Sequence, residues 1–287
     1  MNFKKIRWFA SLAISAVVVA LSLAFLIYPA VIICAVMVDP QLRHSGESRW
    51  VPLWFESAAH RYVSWSDAYL NSKYAESLRH DDVAATEWPM FGSAFFLVAA
   101  EDLHAQGKIN ATKGVVRQAV DNAAAIVASP VTATWVRTKW GDDYLERENV
   151  FYRMLLILGL SSYESITKDT RHHLLMATQR ATLAEELLKA KRHMRDDYPD
   201  ECYPNDVLWA VAAIQRAARL DQTNHNELAR SLISVLEGPL QTPEKLPAFT
   251  VNARSGEIIQ DARGCGNSGI LGSSTEFGKR AAGTPIH

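Results

Sequence analysis

The sequence predicts an all-α protein: an N-terminal transmembrane helix followed by an (α/α) toroid, a double ring of helices, incomplete at its end and carrying one small β-hairpin. Three observations predict this. Phe9 to Val38 is an unbroken apolar stretch, longer than the ~20 helical residues that cross a bilayer core. Apolar residues then recur at helical spacing through most of the remaining chain, with Pro, Gly, Asn or Asp at the breaks. Segments that are apolar all round also alternate with segments apolar on one side only, which is the pattern of enclosed helices wrapped by half-exposed ones.

Residues 1–8 carry Lys4, Lys5 and Arg7, whereas the segment after the apolar stretch mixes Asp39 and Glu47 with Arg43 and Arg49. The positive-inside bias therefore places 1–8 in the cytoplasm, 9–38 across the cell (inner) membrane as a single-pass anchor, and the main domain in the periplasm or outside the cell. A cleaved secretory peptide is the competing reading. Its apolar core runs only about 7 to 15 residues before a small-x-small site, and Ser22-Leu23-Ala24 sits inside a continuing run. Trp8 and Tyr28 stand at the two interfaces, Pro29 marks a kink, and Cys34 reads as a buried apolar residue. Residues 39–51 form a linker, 52–264 the helical domain and 265–287 a poorly packed tail rich in Gly, Ser and Thr.

Within the domain, helices are predicted near 52–77, 88–106, 110–128, 143–167, 171–194, 204–219 and 224–237. Pro89, Asn110 and Pro204 supply starts, and Gly107 and Gly238 supply stops. Met90 to Ala100 and Val150 to Leu160 are apolar over most of their circumference and read as inner helices, while 178–195 is amphipathic and reads as an outer one. Phe249-Thr250-Val251 and Glu257-Ile258-Ile259 flank Ala253-Arg254-Ser255-Gly256 as a hairpin. Double rings usually close with six helical hairpins and about four are legible here, so the chain is expected to stop short of a closed ring or to form an open crescent.

Lys and Arg total 30 against 31 acids, a balance with no basic field for nucleic acid. The scattered histidines lack metal-ligand spacing, so neither a metal site nor a cofactor is indicated. Phosphate loops and nucleophile elbows are also missing. Cys202 and Cys265 lie in the part expected in an oxidising compartment and are a disulfide candidate.

The densest polar constellation is Asp196-Asp197-Tyr198-Pro199-Asp200-Glu201-Cys202-Tyr203-Pro204-Asn205-Asp206, a loop running into an apolar helix. Asp200, Glu201 and Cys202 are the catalytic candidates in it, one carboxyl donating a proton while another stays ionised. A structural role for Cys202 is the alternative, because the surrounding acids oppose its ionisation. Glu148 is the fourth catalytic candidate, on one helix face with Tyr144 and Tyr152 and with Arg153 as its partner. Trp65, Tyr69, Trp88, Tyr152 and Asp206 are the candidate substrate-binding residues, in a chain whose aromatics also include Trp54, Phe55, Tyr62 and Tyr74. Core packing is the competing role for these rings.

Glu148-Asn149-Val150-Phe151-Tyr152, then Leu155-Leu156-Ile157-Leu158-Gly159-Leu160 and Tyr163-Glu164, with Cys202-Tyr203-Pro204-Asn205-Asp206 later, resemble the α/α-toroid family that includes linalool dehydratase-isomerase and related membrane-anchored proteins. The resemblance covers roughly residues 60–240. It implies an inner-ring cavity where acids and cysteines protonate and dehydrate a small alcohol, with Cys202 matching the first cysteine of that family's loop. The family's second cysteine falls on Val211, and its histidine falls among Arg153, Met154 and Leu155. Together these readings predict an anchored enzyme acting on a small alcohol or saccharide by carboxylate chemistry; a non-catalytic envelope scaffold is the alternative.

Overall fold

The structure is a computed structural model that describes residues 3–40, 50–72 and 83–266. The predicted positions Tyr74, His80 and 73–77 of the first domain helix, and the tail from Asn267 onward, lie outside the described residues. About two thirds of the chain is helical, 68%, with one small antiparallel sheet. The chain divides into two compact units, Met1–Trp54 and Phe55–His287.

In the first unit, α1 (Phe3–Ser22) and α2 (Tyr28–Met37) are joined without a break by a π-turn, Leu23–Ile27. The helix Arg7–Met37 is long and apolar enough to cross a membrane, with a mean hydropathy of 2.7 over its 18-residue window. The π-turn is placed by Pro29, whose ring would strike the carbonyl of Phe25 in a regular helix. Widening the turn, so that the Tyr28 N–H donates to Leu23 O five residues back, removes that clash. Cys34 is exposed on the helix surface rather than buried, as are nearly all the side chains around it.

The second helical series comprises α3 (Trp50–Asn71), α4 (Val83–Thr86), α5 (Trp88–Ala105), α6 (Gly114–Ala128), α7 (Thr134–Trp140), α8 (Val150–Thr167), α9 (His173–Lys189), α10 (Pro204–Ala217) and α11 (Asn226–Leu236). At its centre is α8, which packs against α5, α6, α9 and α10 and buries every residue from Tyr152 to Tyr163. Its run from Met154 to Leu160 has no polar face, which suits a helix enclosed on several sides. Gly159 allows the closest approach: a Cβ there would stand 3.2 Å from both methyls of Val127 and 3.4 Å from the Ala94 backbone.

Direction follows from side-chain pairs. Glu101 and Asp102 meet Arg216 at 2.7 and 2.6 Å, and Phe95 meets Trp209 edge-on, so α5 and α10 run parallel. Tyr163 reaches Asp121 while Gly159 touches Val127, which makes α6 antiparallel to α8. Arg153 reaches Gln179 and Glu186 while Glu164 meets His173, so α9 is antiparallel to α8 as well.

The inner helices predicted from Met90–Ala100 and Val150–Leu160 are α5 and α8. Three predicted boundaries move. The helix expected from 143 begins at Val150, because Asn149 turns to a left-handed φ of 36° and Asp143–Asn149 forms turns. The helix expected from Asn110 begins at Gly114, because the Asn110 side-chain Oδ1 closes a local turn by accepting from the Thr112 N–H and hydroxyl. The helix expected to reach 194 stops at Lys189, and a 3-10 turn, Lys191–His193, follows. The short α7 lay outside the periodic segments read from the sequence. The hairpin forms as β1 (Thr250–Val251) and β2 (Ile258–Gln260).

Candidate functional site

The starts of α5, α8 and α10 meet around the loop 194–203. Glu87, Asn149 and Tyr203 are the residues that immediately precede α5, α8 and α10, none of them with a side-chain capping bond. The loop is fastened on both sides. The Val150 N–H donates to Asp196 O at 3.1 Å, and the Trp140 Nε1–H donates to Asp197 O at 3.3 Å. On the other side, the Val251 N–H donates to Cys202 O at 3.0 Å, tying the loop to β1.

Its tip is the turn Tyr198-Pro199-Asp200-Glu201, closed by the Glu201 N–H on Tyr198 O at 2.8 Å. Pro at the second position and a positive φ of 64° at Asp200 make it a turn that presents its middle residues to solvent. Asp200 and Glu201 are accordingly exposed, and Glu201 accepts from the Tyr203 hydroxyl at 3.0 Å.

The residue just before the tip goes inward. Asp197 is 1% exposed; its Oδ2 accepts from the Tyr203 N–H at 2.9 Å, its Oδ1 has no partner, and the Phe151 N–H of the first turn of α8 favours its ionised form. Burial, and then the Asp206 charge, nevertheless push this carboxyl well above its ordinary range. Asp206 sits in the first turn of α10, where its Oδ1 accepts from Asn205 Nδ2 at 3.1 Å. Burial raises it to about 6.

The Tyr198 hydroxyl donates to Glu87 Oε1 at 2.8 Å. Burial raises both groups, and the charges of Glu87, Asp197 and Asp206 push the phenol further. Aromatic rings enclose this cluster. Trp135 lies 6.2 Å from Tyr198 and 6.4 Å from Phe151, and Phe151 lies 6.2 Å from Phe91. The Trp135 Nε1–H is buried without a partner.

No protein-family model matches the chain, and no curated protein matches it. The site is therefore read from its own geometry.

The four sequence candidates for catalysis divide. Glu148 does not pair with Arg153: its Oε1 meets Arg195 Nη1 at 3.0 Å and its Oε2 accepts from the Asp196 N–H at 3.0 Å. Arg153, fully buried, instead donates to Gln179, Thr182 and Glu186 of α9 and to the Arg147 carbonyl. The reason is the break at Asn149, which takes Glu148 off the face of α8. Cys202 is 1% exposed, with its sulfur 3.9 Å from Met194 Sδ. Burial, then Asp197 and Asp196, push the thiol far up, the opposite of what a nucleophilic cysteine needs. Cys202 and the exposed Cys265 are both free thiols. Asp200 and Glu201 occupy the solvated tip, so the loop carries Asp200, Glu201 and Cys202, with Glu148 bound to its Arg195 and Asp196, without turning the four to one point.

Among the binding candidates, only Asp206 belongs to this cluster, where it is half-buried. Tyr152 is buried beside it, edge-on to Trp135 at 6.0 Å and to Tyr144 at 5.4 Å. Trp88 is 65% exposed, and Trp65 stacks on Tyr69 at 5.3 Å on α3. Sequence reasoning missed Asp197, Tyr198 and Glu87 as a group. One signal was present: Tyr-Pro-Asp-Glu reads as a turn with Pro at its second position, which sends Asp200 outward and leaves Asp197 at the base.

Proposed function

We propose that this chain is a membrane-anchored enzyme whose helical domain, an (α/α) toroid held outside the cytoplasm, moves protons on a small alcohol or saccharide with the carboxyl pair Asp197 and Asp206. The observation that carries this reading is the placement of both carboxyls at the starts of α8 and α10, Asp197 buried and Asp206 half-buried. Two acids that cannot both ionise retain a proton into the neutral range. The protonated member donates to a leaving oxygen, and the ionised member takes a proton from the adjacent carbon or from water; a dehydration then releases an alkene and water.

Two further features support it. Each of α5, α8 and α10 is followed in the chain by an outer partner, α6, α9 and α11, which is the alternation an (α/α) toroid repeats. The resemblance to linalool dehydratase-isomerase implies a reaction centre near the 202–206 segment. In this site Cys202 acts as a neutral packing group. The basic residues before the apolar helix support a cytoplasmic N-terminus.

The test is a substrate screen of the full-length protein with Asp197→Asn and Asp206→Asn beside it. Turnover is expected to fall about 10²- to 10⁴-fold in either variant, with Glu201→Gln and Cys202→Ala near parent. Full turnover in both Asn variants sinks the assignment. A non-catalytic envelope scaffold is the second reading, favoured by the engagement of Glu148 with Arg195 and of Arg153 with Glu186 in structural ion pairs.

A further inference from the structure

One flank of α3 is exposed. Phe55, Ala59, Val63, Ser66 and Tyr69 are buried, and the helix is held to α5 by the Phe55–Phe96 and Tyr62–Phe96 stacks at 4.8 and 4.5 Å. It is held to α6 by the Asn122 Nδ2 bond to Asp67 Oδ1 at 2.7 Å. On the flank of the helix beside that buried face, positions 54, 58, 61, 65 and 68 fall on one stripe at the i, i+4, i+7, i+11, i+14 spacing. Trp54 and Trp65, 47% and 42% exposed, stand on either side of the exposed Arg61, with Ala58 and Ala68 completing the stripe. Both acids of the helix lie elsewhere: Asp67 is turned to α6, and the spacing puts Glu56 on the far side.

We propose that this Trp–Arg stripe is an interfacial contact that lies in the headgroup layer of the bilayer holding the apolar span. The proposal rests on the anchoring reading above. Tryptophan, with an apolar body and one N–H, prefers the boundary between lipid and water, and a cation unopposed by acids is drawn to anionic headgroups. The covalent link favours the contact further. Only residues 38–49 separate Met37, the end of α2, from Trp50, the start of α3, which allows a reach of about 40 Å at most. A tether of this kind gives an effective concentration on the order of millimolar, so a weak surface contact is populated without extra affinity. The stripe lacks the repeated apolar knobs of a helix-on-helix seam, which makes a second copy of the chain the poorer occupant.

The test uses the full-length protein in vesicles containing anionic phosphatidylglycerol, with and without lipids brominated high on the acyl chain as a contact quencher of tryptophan. Parent, Trp8→Phe, the double variant Trp54→Phe/Trp65→Phe and Arg61→Glu are compared. Subtracting a variant's emission from the parent's isolates the rings it removes. The emission of Trp54 and Trp65 is expected to fall by about half or more with brominated lipid. In Arg61→Glu that loss shrinks on anionic vesicles while circular dichroism is unchanged. Full emission from this pair, with Trp8 quenched, overturns the proposal. If the pair is then also shielded from aqueous acrylamide, a second copy or another protein is the occupant. An unquenched Trp8 overturns the anchoring reading instead, and this proposal with it.

Discussion

The Tyr198 hydroxyl donates to the Glu87 carboxylate at 2.8 Å, joining residues 111 positions apart and fastening the loop before α10 to the start of α5. Removing the donor leaves a half-buried acid without this partner. Tyr198→Phe is expected to cost about 1–3 kcal/mol of stability at neutral pH, and a double-mutant cycle with Glu87→Gln should give a coupling of about 1 kcal/mol. Denaturant titration of the four chains decides it; additive single losses would show that the bond contributes little.

Stability should fall as pH rises through the range where Asp206 ionises. Asp206 is held at about 6 and Asp197 well above its ordinary value, so the folded chain keeps protons that an unfolded carboxyl gives up near pH 4. Because the folded state binds more protons, unfolding free energy declines from about pH 4 to about 6. Asp221, lowered mainly by its bond from Arg180, acts the other way: its stabilisation is present above about pH 4 and lost as pH falls further. Asp206→Asn should flatten the declining limb and add about 1–3 kcal/mol at pH 7. Urea unfolding at stepped pH reads this, and parallel profiles for parent and variant would refute it.

Arg153 is wholly buried, with Glu186, Gln179 and Thr182 gathered on its guanidinium. Arg153→Ala is expected to cost about 3–5 kcal/mol, since it strands the partners of a buried charge. Lys at this position should recover less than half, because an ammonium lacks the planar fork. Thermal denaturation of Ala and Lys variants side by side makes the comparison, and equal stability of Lys and parent would contradict it.

Gly159→Ala inserts a methyl 3.2 Å from both Val127 methyls. Crowding should cost about 1–3 kcal/mol, against a helix-propensity gain of about 1 kcal/mol. Val127→Ala in the same chain should relieve the crowding. A net gain from Gly159→Ala alone would mean that α6 and α8 separate at little cost.

Periodicity located the inner helices because Met90–Ala100 and Val150–Leu160 carry apolar residues on every side, and no tertiary context could leave them exposed without penalty. Pro204 likewise marked the start of α10. Starts set by a single backbone torsion were not legible: nothing in the residue type obliged Asn149 to turn left-handed and release Glu148 from α8. The 196–206 loop was recognised as the polar focus, yet its inward and outward residues were exchanged, since charge alone does not distinguish Asp197 from Asp200 and only the turn does. The Tyr198–Glu87 bond had no local trace, because its partners meet only through packing.

The π-turn at Leu23–Ile27 gives the apolar helix a capacity that a uniform rod lacks. A 31-residue helix is about 46 Å long, against a hydrocarbon layer of about 30 Å, so an inserted helix is too long to stand upright. The surplus is taken up by tilt or by bending, and the widened turn ahead of Pro29 is where bending costs least. Membranes of different thickness would therefore change the angle between the two segments, and a chain built this way would be sorted toward thicker bilayers.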